Sequence, residues 1–121
     1  MSVQLVSVAA GAASAKTLEP TVVLDVGAII AITDYFVISS GRNDRQVRAI
    51  AEEVERQVRE RGGPPPRTIE GLNDARWVLM DYGDFVVHVL TDEARSFYDL
   101  ERLWADAPRL AWDRDADRVE A

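Results

Sequence analysis

A chain of 121 residues, of which 47% are hydrophobic and 29% charged, has the length and composition of one globular domain. The absence of cysteine excludes disulfides, thiolate zinc sites and cysteine nucleophiles, and it favours a cytoplasmic location. The net charge of −7 argues against broad binding to nucleic acid and suits a basic protein partner better.

The amino-terminal segment predicts a helix rather than a signal peptide. Residues 3–18 are rich in alanine, and the chain lacks the cationic start that secretion signals carry. No apolar run approaches the roughly 18 residues that a membrane span requires. We therefore expect no contact with a membrane.

Two strand-like runs follow the first helix. Residues 21–26 and 34–40 are rich in β-branched and aromatic side chains, and residues 27–33 connect them. We expect these runs to pair as a hairpin whose connecting loop is longer than a tight turn.

A long amphipathic helix is predicted next. Asn43 or Asp44 provides its N-cap, and the glycine and proline cluster at residues 62–66 ends it. The apolar residues that recur at helical spacing between these limits are Val47, Ile50, Ala51, Val54 and Val58. They are expected to form one buried stripe.

A short edge strand at residues 67–71 and a tight hairpin are expected after the prolines. Gly83 and Asp84 fit the two central positions of a type II′ turn. With that turn, the opposed residues are Tyr82 and Phe85, Met80 and Val87, Leu79 and His88, and Trp77 and Leu90.

Both faces of this hairpin are largely apolar. One face carries Val78, Met80, Tyr82, Phe85, Val87 and Val89. The other face carries Trp77, Leu79, Asp81, Val86, His88 and Leu90. A hairpin solvated on one side would alternate apolar with polar residues, so cover is expected on both sides, from helices or another molecule.

The last predicted helix begins near Thr91 or Asp92 and ends at Pro108. Its expected apolar stripe comprises Phe97, Leu100, Leu103 and Trp104. The remaining residues are charged and lack periodicity. The predicted organisation is therefore a domain of residues 1–107 and a flexible tail of residues 108–121, with local docking of Trp112 left open.

The only histidine of the chain, His88, could be a general base, a metal ligand or a ring packed in the sheet. Ser39 and Ser40 are the nearby serines by type, but neither lies in a nucleophile elbow. A metal site would depend on carboxylates for its other ligands. We favour a partly buried ring with satisfied nitrogens, and expect no catalytic residue.

Two further motifs are weak. Residues 113–117 alternate aspartates as at the start of a calcium loop, but Arg118 stands where that loop needs glycine. The single glycine of the Ser40-Gly41-Arg42 segment favours an ordinary turn over a phosphate cradle. No metal and no cofactor are expected.

Large aromatic rings are the other candidates for function, because such rings are enriched at the centres of protein interfaces. They are Trp77, Tyr82, Tyr98 and Trp104. The place of Trp104 on a buried stripe favours a core role. Trp77 starts a strand on the second apolar face, and its role as core or contact residue stays open.

Six ordered segments resemble the ribosomal silencing factor family, also called RsfS or Iojap-related proteins, over residues 18–107. They are LDV (24–26), ITDYFVISSG (32–41), RQVRAIAEEV (45–54), EG (70–71), WVLMDYGDFVVHV (77–89) and RSFYDLERLW (95–104).

The resemblance implies a single α/β domain with a mixed sheet flanked by helices, nucleotidyltransferase-like but without catalytic carboxylates. It implies binding to the large ribosomal subunit through its ribosomal protein number fourteen, with little direct contact to nucleic acid. The bound protein would block the small subunit sterically and repress translation under nutrient limitation. Self-association is frequent among such proteins, so a homodimer in the free state is also implied.

The family's contact surface, carried over residue by residue, falls mainly on the tight hairpin. There it comprises Trp77, Asp81, Tyr82, Gly83 and Asp84. Additional contacts are expected from Glu70, Tyr98, Leu100 and Trp104. The apolar residues 27–31 and the short first helix differ from the family pattern, which leaves that loop and any dimer contact of the helix open.

The sequence leaves two alternatives to silencing. A factor for assembly of the large subunit would use the same contact surface during maturation. A nucleotidyltransferase would need carboxylates on adjacent strands to hold magnesium, and the only Asp-x-Asp match in type, Asp113-x-Asp115, lies outside the expected sheet. We therefore expect a protein that is not an enzyme.

Overall fold

The fold is an open six-stranded sheet with helices on both faces, as seen in a computed structural model that describes residues 2–113. The strand order is β3-β4-β5-β2-β1-β6, with β2 and β5 parallel at the centre and the other neighbouring pairs antiparallel. In chain order, the elements are α1 (Ser2–Ser14), β1 (Val22–Asp25), β2 (Tyr35–Gly41), α2 (Asp44–Glu60), β3 (Thr68–Glu70), β4 (Trp77–Asp81), β5 (Phe85–Thr91), α3 (Asp92–Tyr98), α4 (Leu100–Leu103) and β6 (Arg109–Leu110).

The expected pairing of the first two strands is confirmed. β1 and β2 are antiparallel, with Val22 opposite Ile38 and Asp25 opposite Tyr35. The backbone N–H of Val26 donates to the carbonyl of Asp34 at 2.9 Å and closes the base of the connecting loop.

Helix α2 begins and packs as its sequence predicts. The Asn43 side chain caps the helix by accepting a hydrogen bond from the Gln46 N–H at 2.9 Å. All five residues of the predicted stripe are buried, and they pack with α1 against one face of the sheet.

The register of the β4–β5 hairpin is also confirmed. Trp77 lies opposite Leu90, Leu79 opposite His88 and Met80 opposite Val87. Gly83 has a φ of 86°, and the Asp84 N–H donates to the Tyr82 carbonyl at 3.1 Å, so the chain turns at the predicted residues.

Each face of the sheet has its own apolar layer. Helices α1 and α2 cover the face that carries Val78, Met80, Tyr82, Phe85, Val87 and Val89. Helices α3 and α4 lie on the opposite face and pack on Leu24, Ile38 and Leu90. Among residues 2–113, no helix is long and apolar enough to cross a membrane.

The last helix differs from its prediction because it is broken at Asp99. This residue has a left-handed φ of 50° and separates α3 from α4. The helical period does not continue through the break, so the expected stripe is wrong at two positions. Leu100 is buried and Trp104 half-buried, whereas Phe97 and Leu103 are 76% and 72% exposed.

The segment after Pro108 differs from the expected flexible tail over its first residues. Strand β6 pairs with β1, and the Trp112 indole donates from Nε1 to the Thr21 carbonyl at 2.9 Å. Leu110 and Trp112 alternate with charged or small neighbours and pack against the core below α1, which anchors this segment despite its charge. Asp115 and Asp117 of the calcium-like motif lie outside the described residues.

Candidate functional site

A row of rings crosses the sheet face on which α3 and α4 lie. The rings come from neighbouring strands β2, β5 and β4 and from the helical segment, and each touches the next. Successive centroid distances are 5.4 Å for Trp104 to Phe36, 4.7 Å for Phe36 to His88, 5.9 Å for His88 to Trp77, 4.8 Å for Trp77 to Tyr98 and 5.0 Å for Tyr98 to Phe97. We call these residues the aromatic row. Their tilted and edge-on contacts are the arrangements that ring quadrupoles favour.

His88 lies in the middle of the aromatic row and is only 6% exposed. Its Nδ1 atom accepts a hydrogen bond from Trp77 Nε1 at 3.1 Å. Burial lowers the pKa of His88 to about 4, so the imidazole is neutral near pH 7 and carries its proton on Nε2. Within the part of the chain that the structure describes, this Nε2 has no hydrogen-bond partner.

The surroundings of His88 support the packed-ring interpretation. The Ser39 hydroxyl lies 3.2 Å from the Thr21 hydroxyl, and the Ser40 hydroxyl accepts from Arg95 Nη1 at 3.0 Å. Both serines are therefore engaged by other residues. Within residues 2–113, no cluster of His, Cys, Asp and Glu side chains could hold a metal ion. The expectation that both histidine nitrogens are satisfied is met at Nδ1 alone.

The helices leave part of this sheet face uncovered. The pairing places Glu70 beside Leu79, and Asp81 beside Val86, on the same side of the sheet as Trp77. Glu70 is exposed, and the other four side chains are half-buried. We call these five residues the open face.

The predicted contact residues fall into three places. Trp77 and Tyr98 touch each other at one end of the open face, and Trp104 is half-buried farther along the aromatic row. Asp81 lies roughly 13 Å along β4 from Trp77, at about 3.3 Å per residue. It adjoins the turn, where its carboxylate accepts from the Gly83 N–H at 2.8 Å.

The turn itself is fixed to the β1–β2 loop. The Asp84 carbonyl accepts from the Asp34 N–H at 2.9 Å, and the residue is exposed. This end of the hairpin therefore presents Asp81, Gly83 and Asp84 together. Glu70 extends the acidic character toward the β3 edge of the sheet.

Tyr82 and Leu100 have core positions. Tyr82 is 7% exposed and lies on the opposite sheet face, where its ring stacks on Phe85 with centroids 4.8 Å apart. Burial, aided by the Glu55 carboxylate, raises the pKa of Tyr82 to about 12. Leu100, the first residue of α4, is 8% exposed and packs in the apolar layer between the helices and the sheet.

Several exposed or half-buried apolar residues were missing from the sequence-based contact set. Leu79 and Val86 belong to the open face, and Phe97 and Leu103 project from the broken helix. Strand parity already placed Leu79 and Val86 beside Trp77. No signal in the sequence indicates that Phe97 and Leu103 are exposed. Their exposure follows from the left-handed residue Asp99 between the two helices.

Comparisons with known proteins find similarity to one family over most of the chain. The family model described as "Ribosomal silencing factor during starvation" matches residues 1–121. The ribosomal silencing factor RsfS of Bacillus subtilis is 45% identical over 104 residues, which are 86% of this chain and 87% of that protein. A crystal structure from Chromobacterium violaceum superposes with a TM-score of 0.80 at 32% identity, covering 87% of this chain and 88% of that chain.

Organellar proteins are similar over a shorter stretch. The mitochondrial Iojap-related protein of Arabidopsis thaliana is 34% identical over 76 residues, 60% of this chain and 41% of that protein. A mouse protein named "Mitochondrial assembly of ribosomal large subunit protein 1" is 36% identical over 75 residues, 60% of this chain and 32% of that protein.

Proposed function

The chain belongs to the ribosomal silencing factor family, and on that basis we propose that it binds the large ribosomal subunit and sterically prevents the small subunit from joining. The direct partner in this proposal is ribosomal protein number fourteen of the large subunit. The result is repressed translation under nutrient limitation, in the cytoplasm. The relatives are named as silencing or assembly factors, in keeping with a function that is not enzymatic.

The observation that carries the proposal is the pair Trp77 and Tyr98 at the edge of the open face. Tyr98 is 47% exposed, and its ring centroid lies 4.8 Å from that of the half-buried Trp77. Partly exposed aromatic rings beside apolar side chains such as Leu79 are typical anchors of protein interfaces. We therefore assign the central contact to these rings and the open face.

Charge supports a basic protein as partner. The carboxylates of Glu70, Asp81 and Asp84 border the proposed contact, and the whole chain carries a net charge of −7. Such a surface attracts a basic ribosomal protein and disfavours close approach to ribosomal RNA. Little direct contact with nucleic acid is therefore part of the proposal.

Silencing by steric overlap requires occupancy rather than chemistry. A domain held beside the subunit interface competes with the small subunit, and its effect rises with its concentration relative to its Kd. Such a mechanism assigns His88 no proton transfer, in keeping with its burial and its lowered pKa.

Cosedimentation with purified large subunits tests both the function and the surface. Trp77→Ala should weaken binding by about tenfold or more, because truncating an interface anchor removes about 2 kcal/mol. Asp84→Lys should weaken it as well, by reversing a charge at the turn. Glu52→Lys is the matched control, since Glu52 is exposed on α2, behind the sheet.

The outcomes separate two failures. If wild-type protein does not sediment with large subunits, the proposed function is wrong for this chain. If it does, and folded Trp77→Ala and Asp84→Lys bind as tightly as Glu52→Lys, the function stands and the assigned surface is wrong.

Assembly of the large subunit is the second candidate, because the mouse relative is named for that process. Both roles use the same contact, so binding alone cannot distinguish them. Sucrose gradients of cells can: excess protein raises free subunits if it silences, whereas its loss leaves immature large subunits if it assists assembly.

We also propose that a second copy covers the open face when the protein is free. Release from a homodimer would then precede binding to the ribosome. Light scattering over a range of concentrations tests this, and a monomer at every concentration would contradict it.

A further inference from the structure

We propose that His88 is a positioning residue, whose buried Nδ1 atom holds the indole of Trp77 in the orientation that partner binding requires. The inference rests on the proposed function, because it takes Trp77 as a contact residue. It adds a residue that cannot itself touch the partner, since His88 is only 6% exposed.

The indole is held at two points. Its Nε1–H donates to His88 Nδ1 at 3.1 Å, and its ring contacts Tyr98 at a centroid distance of 4.8 Å. Trp77 is the first residue of β4 and is half-buried, so its side chain has open space on one side. Without the hydrogen bond, water could satisfy the indole N–H in several rotamers, and binding would have to select one of them.

His88 is itself rigidly placed. It lies on β5, between Ile38 of β2 and Leu79 of β4 across the sheet, and the ring of Phe36 packs edge-on against it at 4.7 Å. A side chain in the middle of a central strand, packed from both sides, is a fixed reference point for Trp77 at the start of the neighbouring strand β4.

The unpaired Nε2 atom indicates that histidine has a role at this position that an apolar residue would not fill. A buried N–H without a partner destabilises the folded chain, and an apolar residue beside Ile38 and Leu79 would avoid that cost. Leucine at this position would fill the space, but it could not accept the hydrogen bond from Trp77. The acceptor at Nδ1 is the feature that distinguishes His88 from an ordinary core residue.

The matched variants are His88→Asn and His88→Leu, which have nearly the same shape. Asparagine places its carbonyl oxygen near the position of Nδ1 and can accept from the indole, whereas leucine cannot. We expect His88→Leu to weaken binding to large subunits by about tenfold, and His88→Asn to bind within about threefold of wild type.

A spectroscopic measurement on the free protein, at a concentration at which light scattering shows a monomer, follows the hydrogen bond itself. Exchange of the Trp77 indole proton with water, read by NMR and assigned with Trp77→Phe, should accelerate by about tenfold in His88→Leu and stay slow in His88→Asn. A purely structural role of His88 would affect both variants alike.

A double-mutant cycle completes the test. In the Trp77→Phe background, which lacks the indole N–H, His88→Leu should cause no further loss of affinity. Equal affinities of folded His88→Leu and wild type, or an undiminished effect of His88→Leu in that background, would overturn the inference while leaving the proposed function intact. Absence of wild-type binding would instead remove the proposed function, and this inference with it.

Should His88→Leu not fold, Trp77→Phe alone carries the test. It retains an aromatic ring but lacks the donor, and it should bind about tenfold more weakly than wild type. Binding of Trp77→Phe at the wild-type affinity would contradict the proposal.

Discussion

At the scale of single residues, His88 makes the stability of the fold depend on pH, and it lies beside the candidate surface. Its pKa is about 4 in the folded chain, below the ordinary value of 6.5, because burial disfavours the charged ring. Between these two values the unfolded chain binds more protons than the folded one. The stability that neutral His88 contributes is therefore complete above about pH 6.5 and decreases as the pH falls toward 4.

We predict that the free energy of unfolding falls by about 2 kcal/mol between pH 6.5 and about pH 5. Urea titrations at a series of pH values measure it. His88→Asn, which cannot be protonated, is the control and should be nearly flat over this range. The lowered pKa values of Asp44 and Glu53 act at lower pH, so they do not mask the effect. An equal loss in His88→Asn would assign it to other groups.

Gly71 controls the backbone next to Trp77. Its φ is +90°, and a Cβ atom there would overlap the carbonyl oxygen of Trp77. Gly71→Ala should therefore destabilise the fold by about 3 kcal/mol and displace the start of β4. Gly62→Ala is a matched control, because Gly62 has a φ of +82° and no atom within 4 Å of the added Cβ.

The two glycine variants separate backbone strain from steric overlap. Gly62→Ala should cost only about 1 kcal/mol, from the left-handed conformation alone. Thermal unfolding measures both variants. Equal losses at the two positions would show that the approach of Gly71 to β4 is not tight.

At the scale of elements, local signals in the sequence predicted the long helix α2 and the β4–β5 hairpin. The stripe from Val47 to Val58 fixed a helix face, and the turn at Gly83 and Asp84 fixed the register of the β4–β5 hairpin; both are confirmed. Periodicity failed at Asp99, because one left-handed residue ends α3 there although the apolar pattern continues in the sequence. Glycine, the usual signal of that conformation, is absent there.

The side-chain contacts of Arg95 stabilise the broken helix. Arg95 donates through Nε and Nη2 to the Glu101 carboxylate at 3.0 and 3.2 Å, which connects α3 to α4. Its Nη1 donates to the Pro20 carbonyl at 2.7 Å and to the Ser40 hydroxyl at 3.0 Å. A sequence pattern cannot reveal such a set of partners, since Pro20 and Ser40 lie 75 and 55 residues from Arg95 in the chain.

Arg95→Ala should destabilise the fold by about 2 kcal/mol, because it leaves a partly buried carboxylate and a hydroxyl without their donor. Arg76→Ala is the control: its pair with Glu93 spans 3.7 Å and both side chains are largely exposed, so about 0.5 kcal/mol or less is expected. Denaturant unfolding measures both variants, and similar losses would refute the role given to Arg95.

At the scale of the whole molecule, the sequence predicted the layers but not how completely each is covered. Parity assigned Trp77 and Tyr82 to opposite sheet faces, and the structure confirms this. The motif-based contact set nevertheless combined the two residues, because resemblance to a family gives positions without their faces. Tyr82 now belongs to the core under α2, and the candidate surface consists of the open face with Trp77 and Tyr98.

The carboxyl-terminal segment is a second place where prediction from the sequence failed. Charge density predicted a tail from residue 108, yet Asp25 donates its N–H to the Pro108 carbonyl at 2.8 Å and β6 continues the sheet. Two anchors, Leu110 and Trp112, outweigh the charged residues around them because both bury apolar surface on the core. Strand β6 thereby covers the edge that β1 would otherwise expose.

A truncation series tests whether this edge belongs to the stable fold. A chain ending at Pro108 loses β6 and Trp112, and it should be less stable by about 3 kcal/mol, since one large aromatic and one aliphatic contact are removed. It should also self-associate more strongly, because an unpaired edge strand is a site for pairing with other chains. A chain ending at Asp113 retains both anchors and is the control. Thermal unfolding and light scattering compare the two, and equal stability would mean that the segment from Arg109 to Trp112 packs too weakly to protect the edge of β1.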